Sequence, residues 1–350
     1  METKYRIRYI DALRGFTMFL VVMLHVISNS IKFMPVSIQL LQFFRMPTFF
    51  FISGFIAYKP LEVWTSSHYG RQMRKKAFVQ IIPALIFTVF YQAWMKPEPL
   101  LQYFTHIGDY ILYYWFTFAL FAMFVVYYAL SWIAHRFNNE KIMVVGMLIV
   151  AIATAAFHVC HRFPNPSWQR NLHVEDLIWT VQFFTMGVLA RKYKEKFFSI
   201  IKNQWFNSVV IVLFFLCALI YLNQWRNVPG FYFIHYCLGC WLGLVILFSF
   251  FKRKEEYFNS NSRLARVMVF IGRRTLDIYL IHLFFLPPME WLRPYIEGGD
   301  KALLQWVVGG VLAAVVIALC MIVSEIIRSS DLLAHWLLGV SRKRKEEKNG

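Results

Sequence analysis

Charged residues are scarce in this chain of 350 residues. Asp, Glu, Lys and Arg make up 16% of the sequence, whereas hydrophobic residues make up 59% and aromatic residues 19%. A soluble domain cannot cover that much apolar surface with so few charges. The composition therefore predicts a membrane protein that crosses the bilayer several times and excludes an ordinary soluble enzyme.

Cysteines and several common catalytic motifs are also few or absent. Four of the five cysteines fall inside apolar stretches, which is typical of buried thiols and not of a disulfide framework. The sequence has no glycine-rich phosphate loop and no G-x-S-x-G turn. The His and Cys residues between positions 158 and 173 fit no standard zinc spacing. We therefore expect no metal site and no permanently bound cofactor.

Ten apolar stretches follow one another along the chain, each near the roughly 20 residues that a membrane-spanning helix needs. The first is not a cleavable signal peptide, because it lacks a small-residue cleavage site and contains a histidine. The predicted fold is all-α: one transmembrane domain over residues 1–330, a basic tail over 331–350 and no appended hydrolase-like domain. The predicted spans are 12–31, 41–58, 77–95, 110–133, 141–158, 174–190, 206–222, 231–250, 275–292 and 304–325.

The basic residues are distributed unevenly between the two sides of these spans. Of the 37 Lys and Arg residues, 28 lie in the N-terminus, in alternate loops and in the C-terminal tail. This asymmetry predicts that both termini are cytoplasmic. Together with contacts to anionic lipid headgroups, it also explains the net charge of +18, so we expect no nucleic-acid partner.

Arg14 and His25 form the clearest candidate site. They are eleven residues apart in the first span, which is close to three helical turns, so both side chains lie on one face, about 16 Å apart. Ionisable groups at membrane depth usually line a cavity or a pathway. We hypothesise that a cytoplasmic thioester places its phosphates near Arg14 and its reactive carbon near His25. The alternatives are a snorkelling arginine and a hydrogen-bonded packing histidine.

Further motifs follow this pair along most of the chain. They are IDALRGFTMFLVVMLHV from Ile10, FFRMPTFFFISGF from Phe43, the pair Arg71 and Arg74 followed by IIP from Ile81, YWF from Tyr114, FTMGVLAR from Phe184 and IGRRTLDIYLIH from Ile271. In these segments, and in this order, the sequence resembles the acyltransferase 3 family. Its members are integral membrane proteins that O-acylate extracytoplasmic carbohydrates.

The resemblance implies that an acyl group, most often acetyl, passes from cytoplasmic acyl-CoA to a hydroxyl of a carbohydrate or glycolipid at the outer face. By that analogy His25 is catalytic, either as a general base or as a covalent carrier. Imidazole, with an unperturbed pKa of about 6.5, suits both roles. Arg14 would support the donor or stabilise the oxyanion, and Arg71 and Arg74 would bind the CoA phosphates. The expected location is the inner membrane of a bacterium.

The second span contains two more candidates for a cavity. Arg45 lies near its outer end, and Pro47 is expected to disrupt the helix there, which membrane proteins tolerate where a helix lines a cavity. Ser53 is predicted to line the same cavity. It precedes Gly54, where a small residue permits close contact between helices.

Other candidates come from later spans. Trp115, in the YWF motif, is predicted to line the cavity. Tyr279 and His282 are three residues apart, so they share a helix face, and they are predicted to line the tunnel; a packing role for His282 is the alternative. Asp277 precedes them in an apolar run, and we expect it to pair with Arg273 or Arg274.

The loop over residues 158–176 is a candidate carbohydrate-binding segment. Aromatic faces stack on sugar rings and polar side chains bind their hydroxyls. The loop offers Trp168, His161, His173, Arg170 and Glu175.

Two other classes of function are compatible with these features. A transporter or exporter of a glycan or lipid-linked sugar would also use Arg and His along a pathway, but it would not consume acyl-CoA. A nonenzymatic sensor or scaffold would not need His25. The sequence leaves the acceptor, the acyl chain and the oligomeric state open.

Overall fold

The computed structural model describes residues 6–95, 112–160, 174–223 and 237–340. In these ranges the regular structure is helical, and no strand occurs. Seven helices are long and apolar enough to cross a membrane, and an eighth apolar segment, Thr275–Phe285, is shorter. The prediction of an all-α membrane-spanning protein is confirmed.

The α-helices of the described ranges are numbered in chain order. They are α1 Arg8–His25, α2 Val36–Gln39, α3 Arg45–Ala57, α4 Ser66–Lys76, α5 Ile82–Met95, α6 Trp115–Arg136, α7 Glu140–Cys160, α8 Val174–Lys192, α9 Lys194–Lys202, α10 Gln204–Leu222, α11 Gly239–Arg253, α12 Glu255–Asn259, α13 Arg263–Arg273, α14 Thr275–Ile281, α15 Arg293–Ile296, α16 Ala302–Arg328 and α17 Asp331–Leu338. Two π turns, Val26–Ser30 and Ala77–Ile81, extend α1 and join α4 to α5. The 3₁₀ turns are Leu40–Phe43, Leu61–Val63, Leu112–Tyr114, His282–Phe285, Glu290–Leu292 and Gly299–Lys301.

The predicted ninth span, 275–292, is wrong in length. Helix α14 ends at Ile281, and the following 3₁₀ turn ends at Phe285. Pro287 and Pro288 come next; proline lacks a backbone N–H and restricts the residue before it, so the helix cannot continue. The predicted third span, 77–95, is the apolar part of a longer helical segment, Ser66–Met95, which α4 and α5 form together.

The predicted effect of Pro47 also needs correction. Pro47 lies in the first turn of α3, where its missing N–H would have no helical partner in any case. The irregularity comes before it, in the 3₁₀ turn Leu40–Phe43. Pro47 therefore helps to begin α3 and does not break it, and Arg45 is the first residue of that helix.

Two pairs of helices approach closely at glycines. A Cβ atom on Gly15 of α1 would lie 2.1 Å from the carbonyl oxygen of Met268 in α13, and one on Gly272 would lie 1.7 Å from that of Asp11. Helices α3 and α8 meet in the same way, at Gly54 and Gly187. Small residues let helix backbones approach in membranes, where packing replaces the hydrophobic driving force. The close contact predicted for Gly54 is present.

The buried carboxylate of Asp277 has the predicted ion-pair partner, Arg274, and a closer one, Arg328. It accepts two hydrogen bonds from Arg328 Nη2, at 2.7 and 3.0 Å, and one from Ser324 Oγ, at 2.6 Å. Arg274 Nη1 lies 3.7 Å from it and is hydrogen-bonded to Glu325. These contacts join α14 to α16 and satisfy a buried charge that would be costly alone.

Candidate functional site

His25 and His282 are in direct contact. His25 Nδ1 lies 2.8 Å from His282 Nε2, and the two ring planes are nearly parallel, with their centroids 5.1 Å apart. His282 is completely buried, and its Nδ1 lies 2.8 Å from the carbonyl oxygen of Tyr279 and 3.1 Å from that of Ile278. This contact joins the end of α1, at His25, to the end of α14, which His282 follows directly.

The crossing of α1 and α13 explains how these two residues meet. Gly15 and Gly272 hold the helices together, and α14 follows α13 directly. Three residues after Gly272, Thr275 Oγ1 accepts a hydrogen bond from Arg14 Nη2 at 2.6 Å. His282 is seven residues further along, where it reaches His25. Both members of the Arg14–His25 pair therefore contact the segment that carries the IYLIH motif.

His25 lines a cavity of about 500 Å³, which we call the histidine cavity. Three other predicted residues line it: Arg45, Trp115 and Tyr279. Sequence reasoning missed its remaining residues, which are Val21, Gln42, Met46, Pro47, Tyr113, Phe116, Asp176, Trp179, Thr180 and Leu283.

Asp176, Trp179 and Thr180 could have been found from their spacing. They follow an i, i+3, i+4 pattern at the start of α8, which places them on one helix face. With Arg45, they give this cavity one cation and one carboxylate among aromatic side chains. Indole and phenol rings next to a few polar groups suit a neutral, hydroxylated ligand better than a polyanion.

Arg14 lines two adjoining cavities at the other end of α1, of about 500 and 310 Å³. They share Arg14, Ile56 and Lys59, and we refer to them together as the basic cavity. Ser53, which was predicted to lie with Arg45, lines the smaller of these two instead. The cationic residues of the basic cavity are Arg6, Arg14, Lys59, Lys75, Lys76 and Arg191.

The basic cavity has a single carboxylate, that of Asp11, among its described lining residues. This carboxylate accepts a hydrogen bond from Arg6 at 2.9 Å, and Arg273 lies 3.5 Å from it. The remaining cations therefore outnumber the acidic groups and give the cavity a positive field, which suits an anionic ligand.

Helix α4 turns one of its faces towards this cavity and another towards the surface. Gln72, Lys75 and Lys76 line the cavity. Arg71 and Arg74 are exposed, as is Lys75, but unlike Lys75 they are not among its lining residues. Their predicted role in binding CoA phosphates stays a prediction, and the lysines of the same helix are candidates that the motif comparison missed.

Gln80 adds an unused polar atom to the basic cavity. It lies in the π turn Ala77–Ile81, one of the irregular helical turns that are frequent at functional sites. Its side chain is 7% exposed, and its Oε1 makes no hydrogen bond within the described part of the chain. A buried acceptor without a partner is costly, so a ligand N–H at this position would stabilise it.

An aromatic layer separates the histidine cavity from the basic cavity. Residues 48–51 of α3 are buried between the parts of that helix that line each cavity. Phe116 of α6 lies 5.0 Å from Phe50 and 5.7 Å from Phe49, between ring centroids. These three rings form the aromatic layer. Within the described residues, no side chain lines both cavities.

Much of the predicted carbohydrate-binding loop lies outside the described residues. This applies to His161, Trp168, Arg170 and His173. Glu175 and Asp176 belong to the first turn of α8, and the second of them lines the histidine cavity.

The comparisons with known proteins give one match. Residues 7–325 match the model of a family described as an acyltransferase domain, in the acyltransferase 3 group. The searches of curated proteins and of solved structures find no significant match.

Proposed function

Because the chain belongs to the acyltransferase 3 family, we propose that it transfers an acyl group from acyl-CoA to a hydroxyl of a carbohydrate. Acetyl is the proposed acyl group, and the acceptor is an extracytoplasmic or lipid-linked sugar. The observation that carries the proposal is that Arg14 and His25 lie on one helix but line two cavities of opposite chemistry. One cavity suits an anionic donor and the other a neutral acceptor.

The donor binds in the basic cavity. Its phosphates contact Lys59, Lys75 and Lys76, while Arg71 and Arg74 attract it from the exposed face of α4. Gln80 Oε1 accepts a hydrogen bond from an amide N–H of the pantetheine arm. Such an arm spans about the 16 Å between Arg14 and His25.

The acceptor binds in the histidine cavity. Trp115 and Trp179 stack on the sugar ring, and Arg45 and Asp176 bind its hydroxyls. Polar side chains at membrane depth are rare and mark functional positions. This supports a role for Arg45 and Asp176 in binding.

The reaction is an acyl transfer assisted by His25 as a general base. The acceptor oxygen attacks the thioester carbonyl carbon, and its proton passes to His25. As the C–S bond breaks, the same proton passes to the leaving sulfur, which forms the CoA thiol. Positioned acid–base catalysis of this kind contributes about 10²- to 10⁴-fold to the rate.

For the thioester to reach His25, the pantetheine arm must pass the aromatic layer. Phe116 makes tilted contacts with Phe49 and Phe50, which rotation of the rings can open. Donor binding is therefore proposed to separate these rings. In this arrangement, the basic cavity faces the cytoplasm of a bacterial cell, consistent with the distribution of Lys and Arg.

The test uses purified protein in nanodiscs with labelled acetyl-CoA and a panel of sugar acceptors. We expect wild type to bind and consume the donor. His25→Ala should bind it with similar affinity but lose transfer by at least about 100-fold. Circular dichroism and gel filtration control for folding. Label that remains on denatured wild-type protein, but not on His25→Ala, would indicate the covalent route in place of the general base.

Full transfer by His25→Ala would overturn the assignment of this residue. Failure to bind acetyl-, succinyl- or longer acyl-CoA would overturn the proposed reaction and favour transport. In that case, flux of a labelled glycan across vesicles containing the protein would be the decisive assay.

A further inference from the structure

We propose that His282 is a positioning residue that fixes the proton of His25 on Nδ1 and leaves Nε2 unprotonated for catalysis. This inference rests on the proposed function for its effect on rate, but the proton positions follow from the contacts themselves. His282 touches His25 and does not line either described cavity.

The argument begins at His282 Nδ1. Its two nearest polar neighbours are the carbonyl oxygens of Tyr279 and Ile278, at 2.8 and 3.1 Å. Carbonyl oxygens only accept hydrogen bonds, so Nδ1 must carry the proton that it donates to them. In a neutral ring the other nitrogen, Nε2, is then an acceptor.

The second step concerns His25. Since His282 Nε2 accepts, the 2.8 Å contact requires His25 Nδ1 to donate. A neutral imidazole carries one N–H, so His25 Nε2 has a free lone pair. Two neutral rings are the favoured state because a charged pair would be costly at this depth. The backbone of α14 thereby determines which nitrogen of His25 can accept a proton.

The same chain of bonds supports the protonated state during the reaction. When His25 Nε2 takes the acceptor proton, Nδ1–H keeps its bond to His282 Nε2. The positive charge is then shared with a partner whose own N–H is held by two carbonyl dipoles. An orienting group behind a catalytic imidazole is the arrangement found in catalytic triads, where its loss costs orders of magnitude in rate.

The nearly parallel ring planes make the relation specific. The two ring planes differ by only 12°, so His282 fixes the orientation of His25 as well as its tautomer. A ring without an acceptor nitrogen would keep the packing and lose the hydrogen bond. Phenylalanine is that ring, which makes His282→Phe the informative variant.

The experiment compares His282→Phe and His282→Gln with wild type, in transfer kinetics and in ¹⁵N NMR of histidine-labelled protein. The His25 signals, among those of ten histidines, are identified by their loss in His25→Ala. We expect wild type to show a protonated Nδ1 and an unprotonated Nε2 on His25. In His282→Phe this pattern should be lost, kcat should fall about 100-fold and the KM for acyl-CoA should stay unchanged.

The conservative variant provides the rescue. The side-chain amide oxygen of His282→Gln can accept from His25 Nδ1–H, so we expect it to recover at least a tenth of wild-type kcat. In a His25→Ala background, His282→Phe should have no further effect. His335 is a matched control, because its Nδ1 also lies near a carbonyl oxygen, that of Val340 at 2.8 Å, but it lines neither cavity. His335→Phe should keep wild-type kcat.

The outcomes separate this inference from the proposed function. A His25 protonated on Nε2 in wild type would overturn the inference whatever the activity. Unchanged kcat in His282→Phe would overturn it even if His25 proves catalytic. If no acyl-CoA is consumed, the proposed function fails, while the NMR pattern and its loss in His282→Phe still test the proton positions.

Discussion

The basic cavity and the histidine cavity lie at opposite ends of the same helix, yet they differ in almost every chemical respect. The basic cavity carries six cations and one carboxylate. The histidine cavity carries Arg45, Asp176 and His25 among five aromatic side chains. The difference is what the proposed function requires of a donor site and an acceptor site. Helix α1 connects the two cavities, because Asp11 and Arg14 line one and His25 lines the other.

The sharpest test of this difference removes charge from the basic cavity alone. In Lys75→Ala/Lys76→Ala, the loss of two contacts to phosphate should cost about 2 kcal/mol, which is a roughly 30-fold weaker affinity for acyl-CoA. The KM for the acceptor should not change. Binding would be measured by isothermal titration in nanodiscs.

Two matched pairs of substitutions control this experiment. Arg71 and Arg74 belong to the same helix but do not line the cavity, and we expect Arg71→Ala/Arg74→Ala to weaken binding only about threefold, as surface charges do. Lys194→Ala/Lys196→Ala, exposed on α9, should change nothing. A larger effect from the arginine pair than from the lysine pair would mean that the phosphates bind outside the basic cavity.

The converse test removes aromatic surface from the histidine cavity. Trp115→Ala or Trp179→Ala should raise the KM for the carbohydrate about tenfold, because each loses a stacking contact worth about 1.4 kcal/mol. Donor affinity should be unaffected. Trp205→Ala is the control, since Trp205 is 84% exposed and lines neither cavity. A rise in donor Kd would contradict the assignment of the two ligands.

The smallest effect is expected at Gln80. Gln80→Met keeps the volume of the side chain but removes its hydrogen-bond acceptor. It should weaken the affinity for acyl-CoA about fivefold, since one hydrogen bond contributes about 1 kcal/mol. The same loss should appear with acyl-pantetheine, which lacks the nucleotide. The lysine substitutions should have no effect on that shorter donor. If Gln80→Met weakens the affinity for acyl-CoA but not that for acyl-pantetheine, the proposed hydrogen bond between Gln80 and the pantetheine amide is wrong.

Composition and spacing predicted a large part of the fold. The shortage of charge indicated a membrane protein, and the eleven-residue spacing placed Arg14 and His25 on one face of α1. The spans were reliable where a long apolar run has no internal proline, as in α6 or α16. They were wrong for α14 because the helix ends well before Pro287 and Pro288, while the apolar composition continues beyond it.

The contacts within the site depend on packing that one sequence does not reveal. His25 and His282 are 257 residues apart, and they meet because Gly15 and Gly272 allow α1 and α13 to approach. Similarly, the spacing of Arg71 and Arg74 does not specify which face of α4 turns inwards. That is decided by its packing against α6 and the π turn, which present Lys75 and Lys76 to the cavity.

The aromatic layer has a consequence for the energy metabolism of the cell. Under the proposed function, an unbroken path between the basic cavity and His25 would let protons cross the bilayer, because imidazole takes up and releases protons near neutral pH. Each proton that leaks across a membrane holding 100 mV dissipates about 2.3 kcal/mol. Phe49, Phe50 and Phe116 would interrupt that path while their rings are in contact. In the proposed reaction, closed rings between turnovers would let acyl transfer proceed across the bilayer without dissipating the membrane potential.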